Sequence, residues 1–259
     1  IDSSAKWLIL YGLPAVQVIF ARYCGAFLVL ILLFIPRGGL NQFVSNNPKL
    51  QFSRAIALLG GTTFNFLALQ FLPITTTIAI FFAMPLVITV LGYFILGEKV
   101  GFRRFAAVFA GFVGVLIIIQ PWGEDFHWAM ILSVAALFCA SSYFILTRLL
   151  AGQDNNSTSQ LWSSGVATFA IAPFALQSWH WPQTNMGFCV LVIIGVFGAI
   201  SHILATRAHL LANASTLAPT MYAQVIYATA IGYFVFDTLP SGWTGLGTII
   251  IIGSGLFIW

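Results

Sequence analysis

Apolar residues run along this chain in long unbroken blocks. Short clusters of Pro, Gly, Asn and charge separate them. Cutting at those clusters leaves residues 15–34, 55–71, 74–96, 105–119, 128–150, 161–176, 187–205, 217–236 and 243–259. Each approaches the roughly 17–25 apolar residues that carry a helix across a bilayer. Residues 1–11 read as the last half of one more helix, whose start would lie about 15–20 residues upstream. The pattern predicts ten transmembrane helices, the first truncated. A membrane β-barrel would alternate apolar and polar positions over about ten residues. Runs such as 117–119 and 249–252 are continuous isoleucine. The expected fold class is therefore an all-α integral membrane protein.

Composition agrees with that reading. The chain has 259 residues, of which 60% are hydrophobic and only 6% charged. Soluble domains carry about 25% charged residues, because a folded chain needs a hydrated shell. A soluble enzyme, a disordered chain and a nucleic-acid binder are excluded. Cys24, Cys139 and Cys189 stand alone in apolar runs, without metal-ligand spacing. They read as small buried hydrophobes, and no metal or cofactor is expected.

The few charges carry the orientation. Arg37, Lys49 and Arg54, then Lys99, Arg103 and Arg104, then Arg148, then Arg207 fall in alternate loops. The intervening loops hold Glu124, Asp125 and Asp237 and no basic residue. The positive-inside rule places the basic loops and both chain ends in the cytoplasm. Trp122, Trp128, Trp179, Trp181 and Trp243 fall at the opposite helix ends, as an aromatic belt requires. Lys6 and Arg22 remain, and both lie inside apolar segments.

The chain also repeats itself. Residues 92–114 read GYFILGEKVGFRRFAAVFAGFVG, and residues 232–255 read GYFVFDTLPSGWTGLGTIIIIGSG. Glu98 and Asp237 correspond. Two copies of five helices, 1–119 and 120–259, must have opposite orientation because five is odd. Inverted repeats are the architecture of alternating-access carriers, with the substrate held near the midplane.

At these residues the chain resembles the EamA-type carriers of the drug/metabolite transporter superfamily. The matching stretches are Leu96-Gly97-Glu98-Lys99 with residues 111–114, residues 202–208 running into 212–219 with Tyr222, and Phe236-Asp237 with Pro240, Trp243 and Gly247. The resemblance covers nearly the whole chain. It implies an inner-membrane carrier of small metabolites, with S-adenosylmethionine uptake proteins and amino-acid exporters as the nearest types. Asp237 stands where the family more often has Glu, and Leu239 looks like an insertion before Pro240.

Ionisable residues inside a span are costly and mark function by default. Arg22 could hold a substrate carboxylate or phosphate, or form a structural ion pair, or snorkel to the interface. Ala21, Gly25 and Ala26 beside it would let another helix approach. Asp2 lies four residues before Lys6, so the two could neutralise each other in one helix. Asp2 could instead take a coupling proton when substrate displaces Lys6. His202, on the same face as Thr206, could relay a proton or simply be hydrogen-bonded between helices. Asn65 and Thr62 offer hydrogen bonds from the third span. Tyr227, Gln224 and Thr220 form one stripe of the ninth span, with Pro219 and Tyr222 beside it. Its tyrosines could stack on an aromatic or cationic substrate, or pack between helices. Trp162 falls near the repeat counterpart of Arg22 and would give the cavity one aromatic wall. Pro85 should kink the fourth span. Gly111, Gly114, Gly247, Gly253 and Gly255 permit close packing and a possible homodimer interface.

An intramembrane enzyme would need a Gly-x-Ser-x-Gly serine with a histidine, paired aspartates or a His-Glu-x-x-His site. None occurs, and no nucleotide-binding loop is present. The expected partners are a small-molecule metabolite and the lipid bilayer, with no nucleic acid. A channel or structural membrane protein is the remaining alternative.

Overall fold

In the computed structural model, the described residues are 1–97, 101–120, 123, 126–211 and 223–258. Glu98, Trp122, Pro219, Thr220 and Tyr222 lie outside them, as does the side chain of Gln224.

The described chain is helical. The order is α1 (Asp2–Leu10), α2 (Ala15–Gly38), a 3-10 turn (Gly39–Phe43), α3 (Pro48–Leu69), α4 (Ile74–Phe81) and α5 (Met84–Leu96). It continues with α6 (Phe102–Ile119), α7 (Ala129–Leu149), α8 (Asn156–Gln177), α9 (Asn185–Leu211), α10 (Ala223–Phe236) and α11 (Gly242–Ile258). Among the described residues, five helical stretches are long and apolar enough to cross a membrane: Ala15–Phe43, Pro48–Leu69, Ile74–Ile95, Ala129–Leu149 and Asn185–Ala208. Ala106–Ile119 and Gly242–Phe257 are shorter apolar helices.

Local chemistry explains several boundaries. Pro14 and Pro73 stand just before α2 and α4, and Pro48 opens α3, where a missing N–H costs nothing. The expected kink at Pro85 is present. The apolar run 74–96 breaks at Phe82 and Ala83, because Pro85 cannot donate and crowds the carbonyl four residues back. A 3-10 hydrogen bond from Ala83 to the Ile80 carbonyl, 3.1 Å, carries the chain across. Gly97 at φ +67° closes α5 in the left-handed region that glycine enters without strain.

Two helices start earlier than their apolar patterns predict. α3 begins at Pro48 rather than residue 55, and α8 at Asn156 rather than residue 161. Their extra turns carry Gln51, Arg54, Ser159 and Gln160. Arg54, expected in a basic loop, is instead fully buried within α3. Its Nε donates to Thr147 Oγ1 at 2.7 Å, and its terminal nitrogen to the Ser159 carbonyl at 2.8 Å and Ser163 Oγ at 2.6 Å. Gln51 donates to Ser159 Oγ at 2.9 Å. Polar residues that look like loop in isolation become interior when two helices satisfy each other.

The outside is apolar and the inside is partly polar, the reverse of a soluble protein. Leu32, Phe94, Phe169, Phe234 and Ile249 are exposed, while Gln17, Arg22, Gln51, Arg54, Ser133 and Ser163 are buried.

The chain forms two compact units, Ile1–Phe66 with Leu146–Leu211, and Leu67–Ile145 with the described part of Ala212–Trp259. Each draws elements from both halves of the sequence. In the first unit α2 packs against α8 and α9, and α1 packs against α9. In the second, α6 pairs with α11, and α4 with α10. Gly114 and Gly247 let α6 and α11 approach: a Cβ on Gly247 would fall 2.6 Å from the Gly114 carbonyl. A Cβ on Gly253 would meet nothing within 4 Å, so that glycine does not serve this contact. The core here is Leu72, Ile80, Phe82, Leu86, Ile118 and Leu137 with Ile251.

Candidate functional site

The first unit holds the cluster with the most chemistry. Arg22 lies seven residues into α2, about 10 Å along its axis. The small residues beside it do admit another helix. A Cβ on Gly195 of α9 would lie 2.7 Å from Gly25 Cα, and one on Gly198 would lie 3.5 Å from Arg22 Cγ. That crossing brings His202 onto the guanidinium.

Arg22 is 6% exposed. One terminal nitrogen donates to Thr62 Oγ1 at 2.8 Å. The other lies 2.9 Å from His202 Nε2. A guanidinium only donates, so Nε2 accepts and the ring is neutral, with its proton on Nδ1. The guanidinium carbon sits 4.6 Å from the Tyr23 ring centre, in cation–π contact. Tyr23 donates to the Leu58 carbonyl at 3.1 Å and therefore accepts from Thr62 at 2.7 Å. A directed chain runs from Arg22 through Thr62 and Tyr23 to a backbone carbonyl. Among the described residues the buried Arg22 Nε–H has no partner. Among the described residues no carboxylate pairs with this cation; every group on it is neutral. A buried charge held only by dipoles costs several kcal/mol, and the free Nε–H marks where an acceptor would fit.

Gln160 of α8 supports the histidine. Its amide donates to Thr206 Oγ1 at 2.7 Å and to the His202 carbonyl at 3.3 Å. On α3, Asn65 sits one turn from Thr62 and donates to Asp2 Oδ1 at 3.2 Å. Lys6 is buried in α1, one turn after Asp2. Arg22, His202, Thr62, Asn65 and Asp2 thus come from helices of one unit.

One expected member does not join. Trp162 follows Gln160 by two positions, a turn of about 200° on a helix, and faces the other side of α8. Its indole N–H donates to the Phe43 carbonyl at 2.9 Å. Tyr227, on α10 of the second unit, is 68% exposed. Tyr222 and the Gln224 side chain fall outside the described residues.

Sequence reasoning missed Tyr23, Gln160 and Asp154. Asp154, in the loop between α7 and α8, is a hub. Ser45 and Gln51 donate to its Oδ2, the latter at 2.8 Å, and the Asn46 N–H to Oδ1 at 2.8 Å. Burial alone would push this carboxyl up; the donors from Ser45, Gln51 and Asn46 outweigh it and hold it below its usual value. The signal was the polar cluster Ser45-Asn46-Asn47 facing Gln153-Asp154, visible only once the two loops meet.

A sequence model of the EamA-like transporter family matches residues 4–120 and again residues 127–259. The chain belongs to the EamA-like transporter family. It is a multi-pass membrane transporter and not an enzyme. A riboflavin transporter of Vibrio cholerae is 31% identical over 268 residues, spanning 100% of this chain and 87% of its own length. An S-adenosylmethionine uptake transporter of Rickettsia bellii is 28% identical over 246 residues, 95% of this chain and 84% of its own. A riboflavin transporter of Rhizobium johnstonii is 28% identical over 254 residues, 98% and 84% of the two chains. A solved crystal structure at 18% identity has the same fold, with a TM-score of 0.69 over 99% of this EamA-family chain and 94% of that one.

Proposed function

We propose that this protein is a secondary carrier that moves a small polar or amphipathic metabolite across the bacterial inner membrane by alternating access. Ten spans in two inverted repeats, 1–119 and 120–259, with both ends cytoplasmic, fit the charge distribution of the sequence. The substrate is an amino acid, S-adenosylmethionine or a similar molecule with an anionic group. The single observation behind this is Arg22. Among the described residues it is a buried cation with neutral partners and an unused Nε–H, and such a site gains most from a carboxylate, which accepts two bonds in the plane of the guanidinium. Asn65, Lys6 and His202 offer further polar contacts, and Tyr222, Gln224 and Tyr227 are the remaining candidates. Asp2 and His202 are the candidate coupling groups, since either could change its proton on substrate arrival.

A second reading has a specific support, the 31% identity to a riboflavin transporter. Riboflavin carries no carboxylate, so it would leave the Arg22 charge uncompensated.

A thermal-shift screen of purified protein separates the two. S-adenosylmethionine and amino acids should stabilise wild type and lose that effect in Arg22→Ala. If riboflavin alone stabilises, and does so equally in both proteins, the anion reading is wrong. Counterflow in proteoliposomes tests the carrier itself: flux that neither saturates nor exchanges would refute it.

A further inference from the structure

The side of α3 and α8 opposite Arg54 and Ser163 carries an open cleft of about 570 Å³. Phe27 forms its floor, edge-on to Phe43 at 6.4 Å and to Phe169 at 6.1 Å between ring centres. Gly165 makes room for that ring, since a Cβ there would come 3.1 Å from Phe27 Cε2. Phe52, Ile56 and Trp162 complete the walls. The Trp162 indole N–H is already spent on the Phe43 carbonyl. The side chains lining the cleft therefore offer contact but no free hydrogen-bonding group. A polar metabolite bound there would leave its own polar atoms unpaired, at a cost of about 1–3 kcal/mol each. An alkyl chain would lose nothing.

Phe52, Ile56 and Phe169 are exposed, so the cleft opens on the outer, lipid-facing side of these helices. One end is basic. Lys49 is exposed, and precedes Phe52 by three residues and Ile56 by seven, the spacing of a single helix face. Arg37 is exposed at the end of α2, just before the 3-10 turn that supplies Phe43. Basic groups beside an apolar slot between helices select anionic headgroups.

We propose that this cleft is a binding site for an anionic glycerophospholipid, with one acyl chain against Phe27, Phe52 and Trp162 and the phosphate on Lys49. The site is separate from Arg22 and independent of which metabolite is carried. A bound lipid would brace the start of α3 against α8, where Arg54 is buried.

The test uses delipidated protein in neutral detergent, titrated with phosphatidylglycerol or with phosphatidylcholine of the same chains and read by thermal melting. Wild type should reach half-maximal stabilisation at roughly fivefold less phosphatidylglycerol, the worth of one Lys beside an anionic headgroup. Lys49→Ala should erase that preference, and Lys49→Arg should keep it. Ala170→Trp, which fills the exposed rim of the cleft, should weaken both lipids. Arg103→Ala, an exposed cation of the other unit, should change nothing. Equal response of wild type to both lipids overturns the proposal. So does a preference that survives Lys49→Ala, one that Arg103→Ala removes as well, or an Ala170→Trp variant that binds as wild type.

Discussion

Gly25 of α2 and Gly195 of α9 meet backbone against backbone, with a Cβ on Gly195 placed 2.7 Å from Gly25 Cα. Close approach at small residues is the way helices associate where lipid is as apolar as any side chain. Here the crossing also sets the distance between Arg22 and His202.

Gly195→Val should therefore act on stability and function together. Overpacking costs about 1–3 kcal/mol, and the separated helices would pull His202 off the guanidinium. Lower melting temperature and lost ligand-induced stabilisation are expected. Gly253→Val, where a Cβ meets nothing, should be neutral in the same melts.

Arg22 should behave in the opposite way. An uncompensated buried cation is a stability cost kept for binding. Arg22→Met should melt no lower than wild type while abolishing uptake into proteoliposomes. Arg22→Lys should not restore uptake, because an ammonium lacks the planar fork that meets both Thr62 and His202. A large drop in melting temperature for Arg22→Met would mean that the arginine is structural.

Thr62 is the shared atom of the chain from Arg22 to Tyr23. Thr62→Val leaves a charged donor and the Tyr23 hydroxyl each short of a partner, and should destabilise by about 1–3 kcal/mol. Tyr23→Phe should cost less, since Thr62 still accepts from Arg22. In a double-mutant cycle the two should couple by about 0.5–3 kcal/mol. Additive effects would show that the chain does not work as a unit.

Asp154 predicts an acid limit. Its carboxyl is held below the ordinary value of 3.8, so the folded state binds the proton more weakly than the unfolded one. The stabilisation is present above that value and is lost as pH falls through the lower folded value. Asp154→Asn should lower the melting temperature at neutral pH, and its difference from wild type should shrink as pH drops below about 4. A difference constant from neutral pH to pH 3 would refute the role of the charge.

Much of this architecture was legible beforehand. The apolar runs, Pro14, Pro73, Pro85 and Gly97 located the helices and the break at Phe82–Ala83. The small residues around Arg22 pointed to a helix contact. Arg54 reads as loop in the sequence, because an arginine after a serine looks like surface until α8 turns Ser159 and Ser163 toward it. The repeat alignment places Trp162 near the counterpart of Arg22, and a two-residue offset from Gln160 is enough to send it to the other face. Asp154 alone reads as a solvated loop aspartate, and the polar cluster at Ser45-Asn46-Asn47 becomes its signal only when the two loops meet.

The sequence by itself determined that this is a helical membrane protein and where its helices run. A long apolar segment in lipid has one way to satisfy its backbone, and that solution is local. Only the tertiary structure decided which polar side chains meet. Arg22 finds Thr62 across 40 residues and His202 across 180. Such partners are chosen by how helices cross, and the crossing depends on small residues and facing side chains from distant parts of the chain.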